Sequence, residues 1–204
     1  MGKTLMTTCK MCRREGVSLC GKEKCAVKRR NYIPGVHGNT KKQPRLSSYG
    51  TQLREKQKAK RLYNIMERQF RRYFDMARAK KGNTANMLVQ VLEQRLDNVI
   101  YRLGFGMTRR QARQMVNHGF FAVNGKKVDI PSFQVRIGDE ISIQESKRER
   151  PMVKEVEQRL TKAQPAKWLH LDAQNLKGKV VSIPEGEDLQ TVFDPTLIVE
   201  LYSR

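Results

Sequence analysis

Thr108-Arg-Arg-Gln-Ala-Arg-Gln-Met-Val-Asn117 and, two residues on, Phe120-Phe-Ala-Val-Asn-Gly-Lys-Lys-Val128 decide how this chain folds. The first stretch spans a short helix. Thr108 followed three residues later by Gln111 has the spacing of a capping box, which fixes the helix N-terminus. At 100° per residue Ala112, Met115 and Val116 share one side. Arg109, Arg113, Asn117 and Arg110 fall on an arc that begins beside that side and runs round to the far one. The second stretch is a hairpin with Asn124-Gly125 in a two-residue turn, where both positions must tolerate positive φ. An apolar face for the protein and an arc of guanidinium forks beside a helix N-terminus suit contact with phosphates. Lys126 and Lys127 of the hairpin add charge close by.

Working outward, the next segment upstream has the strongest periodicity of the chain. Met87/Leu88, Val91/Leu92, Leu96, Val99/Ile100 and Leu103 recur at helical spacing between Asn83 or Thr84 and Gly104, which predicts one helix of about 20 residues. Before it, Asn64 and Glu67 predict a variant capping box, followed by an aromatic stripe of Met66, Phe70, Tyr73, Phe74 and Ala77 that ends at Gly82. Arg68, Arg71, Arg72 and Arg78 are left for solvent or RNA. Ser47 and Ser48 are candidate caps for a helix through Leu62, polar nearly all round with Arg54, Lys56, Lys58, Lys60 and Arg61, as befits a helix lying on phosphates. Downstream, Phe133, Val135 and Ile137 alternate, Gly138-Asp139 turns the chain, and Ile141 and Ile143 alternate again. Pro151–Lys162 is a helix candidate. Val180–Ile183 and Leu197–Leu201 read as two last strands.

Charge is distributed unevenly. The 204 residues, 23.7 kDa, contain 41 Lys/Arg against 20 Asp/Glu, a net charge of +21. Residues 1–81 hold 23 basic against 5 acidic side chains, whereas residues 137–204 hold 10 against 12. A basic excess sustained over some eighty residues points to nucleic acid, since counterion release from phosphates rewards such a field. No apolar run approaches the roughly 18 residues of a membrane span. The basic helices also have no broad Trp/Phe/Leu face for an anionic membrane. The opening residues lack the apolar stretch of a secretory signal, so a reducing, intracellular setting is expected. The acidic run Glu185-Gly-Glu187-Asp188 is a poor surface for RNA and a candidate protein contact.

The four cysteines lie in residues 1–45, a basic arm with Pro34, Gly35, Gly38 and Pro44 and no helical or strand period. Cys9-x2-Cys12 and Cys20-x4-Cys25 match a closed tetrahedral zinc site, each pair supplying two corners. Four reduced thiols or an iron–sulfur cluster are the alternatives, the cluster less favoured for want of a redox partner. Flanking Arg13, Arg14, Arg29 and Arg30 would offset the charge of the site and still reach phosphates. His37, in a Pro/Gly loop, reads as a turn or RNA contact rather than a ligand. Lys41, Lys42 and Arg45 complete the basic candidates of the arm.

Three stretches together resemble a recurrent RNA-binding module found in ribosomal proteins, some pseudouridine synthases and tyrosyl-tRNA synthetases. They are Gln94-Arg-Leu-Asp-Asn-Val-Ile-Tyr-Arg-Leu-Gly104, Thr108–Gln114 with His118-Gly119, and Val123–Val128. Arg13-Arg-Glu-Gly-Val, Pro34-Gly-Val-His-Gly38, Leu53-Arg-Glu-Lys-Gln-Lys, Glu67-Arg-Gln-Phe-Arg71 and the terminal Tyr202-Ser-Arg extend the likeness. Over essentially its whole length the chain resembles the bacterial-type family of small ribosomal subunit protein four. The resemblance implies an α+β protein: a helical domain, a small RNA-binding domain of antiparallel sheet with helices on one face, and the Cys-rich arm ahead of both. The expected division is 1–45 for the arm, 46–92 for the helical domain, with 150–165 as a candidate completion, and 93–204 for the RNA-binding domain with its C-terminal strands. It implies early binding to the five-way junction in the 5′ domain of small-subunit, 16S-type ribosomal RNA. It also implies a cytoplasmic ribosomal location near the channel where mRNA enters, contact with small-subunit protein five and other ribosomal neighbours, and influence on decoding accuracy. His118 joins the RNA-facing candidates through the same motif. Some members carry a zinc site in the arm, although the seven-residue loop between the cysteine pairs is short for that pattern.

An enzyme built on the same module would need a nucleophile, base or activated water in a pocket. His37, His118 and His170 lie in separate segments, no Gly-rich phosphate loop occurs, and a four-Cys site leaves no position open for water. A DNA-binding zinc protein would want dimerisation heptads or a recognition helix, and the sequence has neither.

Overall fold

The computed structural model describes residues 8–39, 45–161, 164–189 and 191–204. Its helices are α1 (Cys9–Glu15), α2 (Ser48–Leu62), α3 (Glu67–Arg78), α4 (Thr84–Glu93), α5 (Leu96–Arg102), α6 (Arg109–Asn117), α7 (Glu145–Arg148), α8 (Pro151–Leu160) and α9 (Pro195–Ser203). The strands are β1 (Phe121–Val123), β2 (Lys126–Lys127), β3 (Glu140–Ile143), β4 (Leu169–Asp172) and β5 (Lys177–Val180). The chain divides into two units, one of residues 1–89 with 191–204 and one of residues 90–190.

In the first unit the aromatic stripe of α3 forms the core. Phe70, Tyr73, Phe74 and Ala77 are buried, as are Ala59 and Leu62 of α2 and Ile198 of α9. Ser47 caps α2 by accepting the Gly50 amide at 3.1 Å. Asn64 does not cap α3 as expected. It ends α2 in a left-handed conformation (φ 53°), with the Ile65 amide reaching back to the Lys60 carbonyl at 2.9 Å, and Met66 becomes the N-cap of α3. Asn tolerates the left-handed region better than most residues, so the same side chain serves a helix end as well as a start.

Residues 195–203, expected to contain a strand, form α9 and belong to the first unit. Apolar runs this short do not distinguish strand from helix by period. The deciding signal is Asp194-Pro195, an N-cap that accepts the Thr196 amide at 2.8 Å followed by proline at the first helical position. Edge-to-face packing of Tyr63 on Phe193 (6.3 Å) and a bond from the Gln52 amide group to Glu200 Oε2 (2.8 Å) tie this segment to α2.

The second unit is an antiparallel sheet in the order β2-β1-β3-β5-β4. Phe121 pairs with Ile143 and Val123 with Ile141, which places the apolar alternation of both strands on one face. Against it lie Leu96, Val99 and Ile100 of α5, Met115 and Val116 of α6, Val153, Val156 and Leu160 of α8, and Trp168. Helix α8 therefore belongs to this core rather than completing the helical domain. The Asn124-Gly125 turn has φ 50° and 77°, the mirror-image turn that the hairpin requires.

Further elements differ from the sequence reading, among them α1 (Cys9–Glu15) in the arm, which has no helical period. Strand β4 was not anticipated, and the strand placed at 180–183 lies at 177–180. The long helix is interrupted: Arg95 is extended (φ −69°, ψ 136°) and bridges Gln134, with the Leu96 amide donating to the Phe133 carbonyl at 2.8 Å. The alternation of Phe133, Val135 and Ile137 thus yields a single bridge instead of a strand. The apolar residues keep helical spacing in the sequence across the break, which hides it from any periodicity argument.

Candidate nucleic-acid interface

Helix α6 is aimed by its first turn. Thr108 Oγ1 accepts the Gln111 amide at 3.2 Å, and Gln111 Oε1 accepts the Met107 amide at 2.8 Å, one residue further back than the usual box. Ala112, Met115 and Val116 are buried, leaving Arg110, Gln114, Asn117 and His118 exposed. At the helix end Gly119 has φ 63°, and a Cβ there would lie 2.6 Å from Lys127 Cε. Glycine lets the hairpin lysine lie across this corner. Arg110, Asn117 and His118 consequently run into exposed Lys126 and Lys127 as one polar, basic tract.

Arg109 and Arg113, expected beside them on an open arc, turn inward. Arg109 Nε donates to Asn98 Oδ1 at 2.8 Å, and its guanidinium lies 4.4 Å above the Tyr101 ring. Arg113 Nη1 donates to Asp97 Oδ2 at 3.0 Å. The carboxylates that hold them were missed in the sequence. Glu93 receives both Arg102 Nε and Nη2 at 2.8 and 2.9 Å, and Asp97 receives Arg95 in the same two-pronged way at 3.0 and 2.7 Å. The available signal was Glu93-x-Arg95-x-Asp97-Asn98, four polar side chains inside the most apolar stretch of the chain, where burial demands partners.

In the first unit the basic helix α2 is braced by carboxylates. Buried Glu15 of α1 pairs with Arg54 at 3.3 Å and with Arg61, and Glu55 takes Lys58 at 2.6 Å. Glu67 takes Lys56 and Lys60 at 3.0 and 2.6 Å. Burial pushes the Glu67 carboxyl up, but Lys60, Tyr202 and Lys56 outweigh it and hold it at about 2. Arg13 donates to the Tyr32 carbonyl at 3.0 Å and stacks on its ring at 4.4 Å. Arg14, Arg29, Arg30, Arg45, Arg68, Arg71 and Arg72 are exposed, as is His37 in a 3-10 turn (Val36–Asn39). Lys41 and Lys42 lie outside the described residues.

Helix α1 presents Cys9 and Cys12 one turn apart and stops at left-handed Gly16 (φ 72°), which returns the chain past Cys20 and Cys25. The sulfurs of Cys9, Cys20 and Cys25 lie within 4.8 Å of one another, whereas Cys12, the fourth expected ligand, is buried and stands outside that group. Tetrahedral zinc holds its sulfurs about 3.8 Å apart at a Zn–S distance of about 2.3 Å. Cys9, Cys20 and Cys25 are all thiol and close to that spacing, so these three fit a metal ion. Burial pushes Cys12 up to about 12. Cys25 is also pushed up by burial, yet hydrogen bonding to Ser18 and the Val27 backbone brings it to about 7.

Glu185 is exposed and Asp188 half-buried, beside a 3-10 turn (Gly186–Leu189). Both line a groove of about 360 Å3 with Ile137, Lys167, Trp168 and Ile183. The side chain of Glu187 lies outside the described residues. Among the described residues no helix is long and apolar enough to cross a membrane.

A capped helix and hairpin bearing a basic tract, packed on a small antiparallel sheet, define an RNA-binding domain, and residues 94–141 match the family described as S4 domain. Residues 3–93 match the Ribosomal protein S4/S9 N-terminal domain. Over its full length the chain is 50% identical to small ribosomal subunit protein uS4 of Acetivibrio thermocellus and to that of Thermodesulfovibrio yellowstonii, with 100% of each chain covered. It is 48% identical to the uS4 of Caldicellulosiruptor saccharolyticus over the same extent. The chain belongs to the uS4 family of small ribosomal subunit proteins. Membership makes it an RNA-binding structural constituent of the cytoplasmic ribosome in translation, not an enzyme.

Proposed function

We propose that the protein binds the five-way junction in the 5′ domain of 16S-type ribosomal RNA early and nucleates assembly of the small subunit there. The observation that carries this reading is the exposed tract from Arg110 through Asn117 and His118 to Lys126 and Lys127, on a helix and hairpin that meet closely at Gly119. Rigid placement of donors favours one fold of RNA over phosphate at large. Arg14, Arg29, Arg30, Arg45, Arg68, Arg71 and Arg72 supply further phosphate contacts, and Arg13, Arg54, Lys56, Lys58 and Arg61 set the surface that carries them. Cys9, Cys12, Cys20 and Cys25 would hold one structural zinc, which supplies a fixed crosslink for the arm. The apolar and acidic groove at Ile183, Glu185 and Asp188 suits a protein neighbour, taken to be small-subunit protein five. A position where mRNA enters the subunit, and an effect on decoding accuracy, follow from that neighbourhood.

Co-sedimentation with small subunits at rising salt tests the reading. The parent should remain bound where a loosely held protein washes off. The triple variant Arg110→Ala, Lys126→Ala, Lys127→Ala should release at lower salt, its log–log salt slope shallower by roughly 0.7–0.9 per lost contact. Release of the parent at low salt, or an unchanged slope in the variant, would sink the assignment.

A further inference from the structure

The second unit contains an ion network whose make-up is unusual for a surface that meets RNA. Two buried carboxylates face four guanidiniums: the side chains of Glu93 and Asp97 are 1% and 6% exposed, and Arg95 is 2% exposed. Arg102, Arg109 and Arg113 reach the surface, at 30%, 18% and 26% exposure. Asn98 bridges Glu93 and Arg109. Its Nδ2 donates to Glu93 Oε2 at 2.8 Å, while its Oδ1 accepts Arg109 Nε at 2.8 Å. Glu93 therefore orients Arg102 directly and Arg109 through Asn98, with Tyr101 as the floor beneath Arg109.

We infer that Glu93 and Asp97 are specificity-determining residues of the RNA-binding module. Glu93 occupies the inward donors of Arg102, Asp97 that of Arg113, and Asn98, held by Glu93, that of Arg109, so these guanidiniums accept only phosphates that meet their outward edges in one geometry. The physical basis is competition. A guanidinium with a loose side chain follows any phosphate, whereas one held by a buried carboxylate, most firmly Arg102 in its two-pronged clamp, offers fixed directions and a reduced charge. Four cations with two buried anions leave two surplus positive charges, enough to attract RNA and too few to bind it indiscriminately. Arg102, outside the set of basic residues expected from the sequence to touch RNA, joins the contact surface on this view.

The inference rests on the reading that this module binds junction RNA, and the experiment separates the two. Binding of the full chain is measured to a synthetic RNA carrying the 5′-domain junction and to a random-sequence duplex of equal length, from 50 to 200 mM salt. Glu93→Gln should tighten binding to the duplex and steepen its salt slope by about 0.9, the value of one phosphate contact, while binding to the junction rises less. Discrimination between the two RNAs should fall by roughly threefold or more over this salt range. Arg102→Lys keeps the net charge and sits at the surface, but a point charge cannot clamp both carboxylate oxygens. It should lose discrimination with the fold intact, and it decides the matter should Glu93→Gln not fold. Glu93→Asp, which restores the charge, should recover part of the discrimination. A parent that does not prefer the junction would overturn the function proposed above. A parent that discriminates, with Arg102→Lys and folded Glu93→Gln discriminating equally well, would overturn this inference and leave the network a purely structural one.

Discussion

The Tyr202 hydroxyl donates to Glu67 Oε1 at 2.7 Å, across 135 residues of sequence. The ring lies 4.8 Å from Phe74, and Arg71 covers it at 5.0 Å. The last turn of the chain thus closes the core of the first unit, beside the aromatic stripe laid down near residue 70. Tyr202→Phe, which loses only the hydroxyl, should cost about 1–2 kcal/mol. Tyr202→Ala should cost about 3–5 kcal/mol, because the ring and its packing go too. Urea unfolding of the two variants checks the ranking, and equal costs would show that the ring contributes nothing.

Glu67 makes the first unit sensitive to acid. Its folded value of about 2 lies below the ordinary 4.5, so the stabilisation is present above pH 4.5 and is lost as pH falls towards 2. Glu67→Gln should flatten the acid limb of the stability profile between those values and leave the neutral region with a small, constant loss. A parent-like acid limb in the variant would assign the acid sensitivity to other carboxylates.

Arg109→Ala with Arg113→Ala should lower stability by about 2–3 kcal/mol, since Asp97 and Asn98 would be left buried without these partners. Taken alone, the helical arc of α6 suggests free, solvated arginines and no such loss. Arg110→Ala, on the exposed side of the same helix, should leave melting unchanged and weaken junction binding. Calorimetry of the two variants beside an RNA titration distinguishes the two kinds of arginine.

If the four thiols hold zinc, Cys12→Ser should release it and unfold the arm while α2 and α3 stay folded. Coordination stabilises knots of this size by roughly 10–16 kcal/mol. Metal analysis of protein purified without chelator should find one equivalent in the parent. Well under one equivalent would end the zinc assignment.

Glu185→Lys with Asp188→Lys should alter misreading in reconstituted subunits without weakening binding to isolated RNA, as expected if the groove faces a protein neighbour. Parental misreading together with tighter RNA binding would mean that the groove faces RNA instead.

Much of the site was legible because it rests on local rules. The Thr108 cap, the apolar side of α6 and the Asn124-Gly125 turn each depend on residues within four positions of one another, and each forms as the spacing requires. The cysteine spacing was legible only in part: it pairs Cys9 with Cys12 and Cys20 with Cys25, whereas the structure groups the sulfurs of Cys9, Cys20 and Cys25. Asp194-Pro195 carried an equally local signal for α9, but the apolar run that follows it favours strand and helix alike.

The sequence by itself determined the helix-then-hairpin order, the basic character of the first 81 residues and the exposed tract of Arg110, Asn117 and Lys126–Lys127. Only the tertiary structure decided which arginines are free. Arg109, Arg113 and Arg110 are alike in type and neighbours in sequence, yet two are held by Asp97 and Asn98 and one is open to solvent. The break at Arg95 and the return of residues 191–204 to the first unit were settled in the same way, by a bridge to Gln134 and by packing on Phe74. A helical period records which side of a helix is buried. It carries no record of the carboxylate, strand or ring that a distant part of the chain brings to that side, and those partners set both the charge and the geometry of the surface that remains.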